Sequence, residues 1–188
     1  LNGGDQDIWY PHTFYNLTKT VTSAATLRFE AGQTQTIQGT LTLQGASGQL
    51  LSLRSLSSGT QWNIDPQGTR TIAYLDVQDS NNSNATKILA YGTNSTDSGN
   101  NTNWRFTNAN PVANNDSGSV AQDSATGVTL SVLTNDTDSD GDTLTITAKT
   151  NGAHGTVTIV GGNTQVKYVP TAGYSGADSF TYDISDGY

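Results

Sequence analysis

The densest chemistry in this sequence is the run Asn135-Asp136-Thr137-Asp138-Ser139-Asp140-Gly141-Asp142, which sets four carboxylates at every second position. Charges packed that closely repel one another, so the run calls for a counter-ion. Its donors are all oxygens, and calcium takes about six to eight oxygen ligands in a flexible shell of carboxylates, amides and main-chain carbonyls. Gly141 suits the sharp turn that a loop wrapping an ion must make, because glycine tolerates positive φ. Asp136-x-Asp138-x-Asp140-Gly141 matches the first half of an EF-hand loop, but Thr147 stands where the closing bidentate glutamate would be. The run is therefore not an EF-hand, and its remaining ligands must come from elsewhere in the fold. A solvated Asp-Gly turn between two strands is the alternative reading.

The elements that would position this loop are strands. After Pro111, apolar residues alternate with polar ones in five segments: Val128, Leu130 and Val132; Leu144, Ile146 and Ala148; Val157 and Ile159; Val166 and Tyr168; and Phe180, Tyr182 and Ile184. Period-two alternation marks half-buried strands, and Gly161-Gly162-Asn163 is a good hairpin connection. The pattern predicts a small β-sandwich over residues 108–188. The earlier part, residues 1–107, predicts shorter and more numerous strands around Leu27 and Phe29, Ile37, Leu41 and Leu43, Leu51 and Leu53, Trp62 and Ile64, Ile72 and Tyr74, and Ile88. Glycine, asparagine and serine corners separate them. Such strands stack as the coils of a parallel β-solenoid or fold back as an antiparallel sandwich, and periodicity alone does not choose; we favour the solenoid. The division falls in Thr107-Asn108-Ala109-Asn110-Pro111, where Pro111 interrupts ladder pairing.

Composition narrows the function classes. Hydrophobic residues make up 33% of the 188, and cysteine is absent, so disulfides and thiolate metal sites are excluded. Residues 111–188 carry nine acids against two lysines, whereas residues 1–110 are nearly balanced at seven against six. This acidic excess disfavours nucleic acid and anionic membrane surfaces as partners, and attracts divalent cations. No apolar run is long enough to insert in a membrane as a helix, and residues 1–7 lack the features of a signal peptide. The start without methionine and the stop at Asp186-Gly187-Tyr188 suggest an internal or processed piece of a longer protein.

At this point a resemblance becomes definite. Pro111-Val112-Ala113-Asn114-Asn115-Asp116, the stretch from Val132 to Leu144, Ala153-His154-Gly155-Thr156-Val157, Tyr168-Val169-Pro170, Gly173-Tyr174-Ser175-Gly176, Asp178-Ser179-Phe180-Thr181-Tyr182 and Ser185-Asp186-Gly187 resemble, in order, the cadherin-like tandem repeats of bacterial adhesins. The resemblance implies an immunoglobulin-like sandwich serving as a spacer in long surface proteins, with calcium stiffening its loops or junctions. It implies Asp136, Asp138, Asp140 and Asp142 as ligands, with Asp116 and Asp178 as helpers. It further implies a secreted or cell-surface location; exposed strand edges and solenoid ends, as templates for further pairing, suggest neighbouring repeats or identical subunits as partners, assembled head to tail. More loosely, Gly59-Thr60-Gln61-Trp62-Asn63-Ile64-Asp65-Pro66 and Asp97-Ser98-Gly99-Asn100-Asn101-Thr102-Asn103-Trp104 resemble β-helical segments of secreted bacterial proteins.

Two other functions compete with the spacer. Trp9, Trp62 and Trp104, with Tyr10, Phe14 and Tyr15, would form a stacking surface for sugar rings, with Trp9 and Trp62 as the binding residues of a carbohydrate-binding module for surface glycans; packing in the core or capping the coils is the favoured alternative for these aromatics. Asp76 and Asp79 near Arg70 would be the groups of a β-helical polysaccharide-degrading enzyme. The chain has no G-x-S-x-G elbow, no H-E-x-x-H and no phosphate-cradling loop, and His12 and His154 are its only histidines. The expectation is an all-β, calcium-binding structural protein that is not an enzyme.

Overall fold

The computed structural model describes residue 1 and residues 3–188. The chain divides into two compact units, Leu1–Thr107 and Asn108–Tyr188, and both are built from strands. Among the described residues no helix is long and apolar enough to cross a membrane.

The first unit winds through β1 (Gln6–Ile8), β2 (His12–Phe14) and β3 (Leu17–Thr20), then β4 (Ala25–Phe29), β5 (Thr34–Ile37) and β6 (Leu41–Gln44). It continues through β7 (Leu51–Ser55), β8 (Trp62–Pro66) and β9 (Arg70–Ala73), then β10 (Leu75–Val77), β11 (Ser80–Asn82), β12 (Ile88–Leu89), β13 (Thr96–Asp97) and β14 (Trp104–Arg105). Strands three apart in sequence pair with each other, giving the sheets β1-β4-β7-β10-β13, β2-β5-β8-β11 and β3-β6-β9, with β12-β14 as a separate pair. Every described ladder of this unit is parallel, so an antiparallel sandwich does not describe it.

In-register stacking explains why so few apolar residues suffice. Ala25, Leu51 and Leu75 share one column, and Leu27, Leu53 and Val77 the next, all buried. Alternate side chains point inward, as the burial of β4, β7 and β8 shows. Phe29 stacks on Trp62 with ring centroids 3.9 Å apart. One column begins with a charge: Lys19 stands in register with Leu43 and Ile72 and is fully buried. Its ammonium donates to Gly3 O, Gly4 O and Gln6 Oε1 at 2.7–2.8 Å, so the first turn closes on a polar plug. Tyr74, expected in a strand with Ile72, instead sits at φ 53° in the corner where the chain leaves β9 for β10.

The second unit comprises β15 (Val128–Leu130), a 3₁₀ turn (Val132–Thr134), β16 (Thr145–Lys149), β17 (Gly155–Val160), β18 (Gln165–Pro170) and β19 (Tyr182–Ser185). It forms two antiparallel sheets, β15-β18-β17 and β16-β19. β17 and β18 are joined through Gly161, Gly162 and Asn163, all at positive φ. Val132, Ile146, Val157, Val166 and Tyr168 form the buried core. Val132 reaches it from the 3₁₀ turn rather than from the expected strand, because Thr134 N and Oγ1 both donate to Ser131 O and tighten the chain there.

Turns of the first unit approach closely at Gly68, where an added Cβ would run into the Gly39 carbonyl. We expect Gly68→Ala to destabilise this unit by about 1–3 kcal/mol or more, since main chain cannot yield as a side-chain tip does. Gly4→Ala, which meets nothing within 4 Å, should stay within about 0.5 kcal/mol of the parent. Urea unfolding followed by tryptophan fluorescence checks both.

Candidate metal centre

The acidic loop connects the 3₁₀ turn to β16, and Asp138 organises it. Asp138 Oδ1 accepts the main-chain N–H groups of Asp140 at 2.9 Å and Asp142 at 3.1 Å, while Gly141, at φ 79°, donates to Asp138 O. This curl brings the Asp138 and Asp142 side chains to one side of the loop. Asp186, just past β19, meets them there: one carboxylate oxygen from each of the three lies within 4.8 Å of the others.

Asn108 adjoins this cluster through Asp186. Asn108 donates through Nδ2 to Asp186 Oδ2 at 2.6 Å, and its buried Oδ1 has no hydrogen-bond donor. Asp138 Oδ2 is likewise buried without a donor. Asp140 does not face this cluster through its Oδ2, which accepts Ala109 N at 2.7 Å and thereby anchors the segment that carries Asn108. A buried acceptor left without a donor costs roughly 1–3 kcal/mol, more when charged. Converging carboxylates add mutual repulsion. Three carboxylates, with no sulfur or nitrogen ligand among them, fit a hard dication such as calcium and fit zinc or copper poorly.

The other carboxylates singled out in the sequence are engaged differently. Asp136 Oδ1 accepts Asn114 N at 2.7 Å, and Tyr182 OH lies 2.9 Å from Asp116 Oδ2 and 3.2 Å from Asp136 Oδ2. Burial and these two acids raise the Tyr182 phenol well above its ordinary pKa. Asp178 caps the turn before β17: it accepts Ala153 N, His154 N, Ser179 N and the Tyr168 hydroxyl, all at 2.8–3.0 Å. Of the six acids, then, the structure brings Asp138 and Asp142 into the cluster and places Asp116, Asp136, Asp140 and Asp178 in main-chain and tyrosine contacts. Asp186 and Asn108 were missed by sequence reasoning; their signals, Ser185-Asp186-Gly187 and the boundary stretch, carried no hint that they converge.

The aromatic candidates separate as well. Trp62 is fully buried beneath Phe29 and donates Nε1 to Gln78 O, so it offers no surface to a sugar. Trp9 is 52% exposed, beside Tyr10 at 68% and Tyr15 at 74%. The imagined enzyme groups do not meet. Asp76 is held by Arg54 and Ser98, Asp79 is buried against Gly59 N and Asn100, and Arg70 donates to Pro66 O and Asn84.

Residues 108–188 match the family model of the bacterial Ig domain. No curated protein and no solved structure matches the chain.

The Asp178 cap makes a pH prediction. Its pKa is lowered, chiefly by the Tyr168 hydrogen bond and then by the three main-chain donors. Its contribution is therefore whole above the ordinary carboxylate range and is lost as pH falls through the depressed value. Tyr168 is pushed up to about 12 by burial and by Asp178, so its contribution is whole below about 10 and is lost as pH rises through that value. In pH-dependent urea unfolding, Asp178→Asn should flatten the acid limb and Tyr168→Phe the alkaline limb.

Proposed function

We propose that this chain is a calcium-stiffened spacer of a secreted bacterial protein, a surface or adhesin-like structural module, a reading supported by the match of residues 108–188 to the bacterial Ig domain. The observation that carries the reading is the convergence of Asp138, Asp142 and Asp186, where Asp138 Oδ2 is buried without a hydrogen-bond donor. Calcium would supply the positive charge that offsets three neighbouring carboxylates. The residues that would hold it come from three places in the unit: its first residue, the acidic loop and the segment after the last strand. Holding them together limits flexing of the unit at both of its ends, which is the property a spacer needs.

Residues 1–107 fit the same role as a three-sided β-solenoid, whose parallel ladders give a stiff rod from a polar sequence. Its partners would be neighbouring repeats or identical subunits, stacked head to tail. No catalytic role is assigned to any residue.

Thermal unfolding and calorimetric titration test this reading. Free calcium at about a hundred times its Kd should stabilise the second unit by about 2.7 kcal/mol over chelated protein. Asp138→Asn and Asp186→Asn should each lose most of that shift, and Asn108→Ala a smaller part. Identical unfolding in millimolar calcium and in chelator, with no binding heat, would end the calcium reading.

A second reading rests on Trp9, Tyr10 and Tyr15, which present aromatic surface close together in sequence on the first unit. Sugar rings stack on such faces. On a glycan array the parent should retain specific glycans and Trp9→Ala should lose at least tenfold in signal; equal signals would dismiss carbohydrate binding there.

A further inference from the structure

One interior column of the first unit carries a cation where its neighbours carry leucine. Arg70 stands in register with Leu41, which stands in register with Leu17, and both leucines are buried. Arg70 donates through Nη2 to Pro66 O and Asn84 Oδ1, but its Nε is buried without an acceptor. Arg28 and Arg54 pair with the carboxylates of Asp7 and Asp76, whereas Arg70 makes no ion pair among the described residues. The carboxylate of Asp65 is taken up by Asn84 and Gln67. A guanidinium drawn into a core column with a donor left over is costly unless something brings it an acceptor.

The stacking of strands fails just beyond this arginine. The sheet β3-β6-β9 ends at β9, and β12, the next strand three along, pairs with β14 instead. A cavity of about 640 Å³ opens there, lined by Arg70, Thr71 and Ile72 from β9 and by Thr86, Lys87 and Leu89 at β12. That volume lies in the range of pockets that hold small organic molecules, well above the space one ion needs. No acid lines it among the described residues. Thr69 O and Ala73 O accept from Leu41 and Gly45 on the β6 side, so the N–H and C=O groups of Arg70 and Ile72 turn to the open side.

These groups specify an occupant. Arg70 and Lys87 call for an oxyanion, which a guanidinium binds well. The N–H and C=O groups along β9 and the hydroxyls of Thr71 and Thr86 call for a molecule that donates as well as accepts, which a fully ionised inorganic oxyanion does not. Ile72 and Leu89, the latter 40% exposed, offer a small apolar ledge to a carbon skeleton. A sugar acid meets all three demands with its carboxylate, its hydroxyls and its C–H faces. We propose that the cleft between β9 and β12 binds a uronic-acid unit of an acidic saccharide, with the carboxylate on Arg70 and Lys87. The site shares no residue with the acidic cluster or with Trp9, Tyr10 and Tyr15, so it stands or falls separately from the calcium centre and from the exposed aromatic surface.

Calorimetric titration of the whole chain in chelator, which keeps calcium from bridging carboxylates, tests the site. The probes are a glucuronate tetrasaccharide, the same tetrasaccharide with its carboxyls reduced to alcohols, inorganic sulfate, and the acidic peptide Glu-Thr-Glu-Thr. The uronate should bind saturably and more weakly as salt is raised. The other three should each bind about tenfold more weakly or not at all, since each lacks one of the three features. Arg70→Gln should lose about tenfold in affinity. Because Arg70 also holds Pro66 O, Lys87→Ala at an exposed position is the second variant: it should lose roughly threefold or more with urea unfolding unchanged, and Trp9→Ala should bind as the parent does. No uronate binding, equal binding of the reduced sugar, sulfate or peptide, full binding by Lys87→Ala, or loss in Trp9→Ala alone would overturn the inference.

Discussion

A main-chain N–H or C=O taken out of water must find a partner, and a chain with only 33% hydrophobic residues has little apolar burial with which to offset any that do not. The two units meet this demand in different ways. In the first, each strand of the three main sheets bonds to strands in the adjoining turns of the chain, so one rule of pairing serves nearly the whole unit. Polar side chains then take over at the corners. Asn101, Asn103 and Gln61 donate to main-chain carbonyls of other turns, and Asp79 receives Gly59 N. The high asparagine and glutamine content is thus structural: these amides fill the places where the ladders cannot reach.

In the second unit the ladders are short and carboxylates do much of the pairing. Asp136, Asp138, Asp140 and Asp178 each accept at least one main-chain N–H. An ionised carboxylate makes stronger hydrogen bonds than a neutral acceptor, which suits long loops with little core behind them. The same choice has an electrostatic consequence. Nine acids stand against two lysines in residues 111–188, and three of them, Asp138, Asp142 and Asp186, converge.

Much of this was legible beforehand. The alternation of Leu27 with Phe29, Leu51 with Leu53 and Val157 with Ile159 marks strands because side chains in a strand alternate faces whatever the strand pairs with. The acidic loop was legible as a turn rich in oxygen donors. Periodicity could not show which strand pairs with which, and so could not separate parallel turns from a folded-back sandwich. Nor could it tell buried Trp62 from exposed Trp9, since residue type alone does not show which side chain the fold turns inward.

The sequence by itself determined the strand-rich class, the exclusion of cysteine chemistry and the acidic character of the loop, all properties of residue type and local spacing. Only the tertiary structure decided which oxygens share a site. Asp138 and Asp142 are four residues apart, but Asn108 and Asp186 lie at opposite ends of the second unit, and Asp136 and Asp140 sit in the same loop yet bond elsewhere. Convergence within a few ångströms depends on where β19 ends against β16 and on how the loop curls about Asp138, and neither is written in the spacing of aspartates.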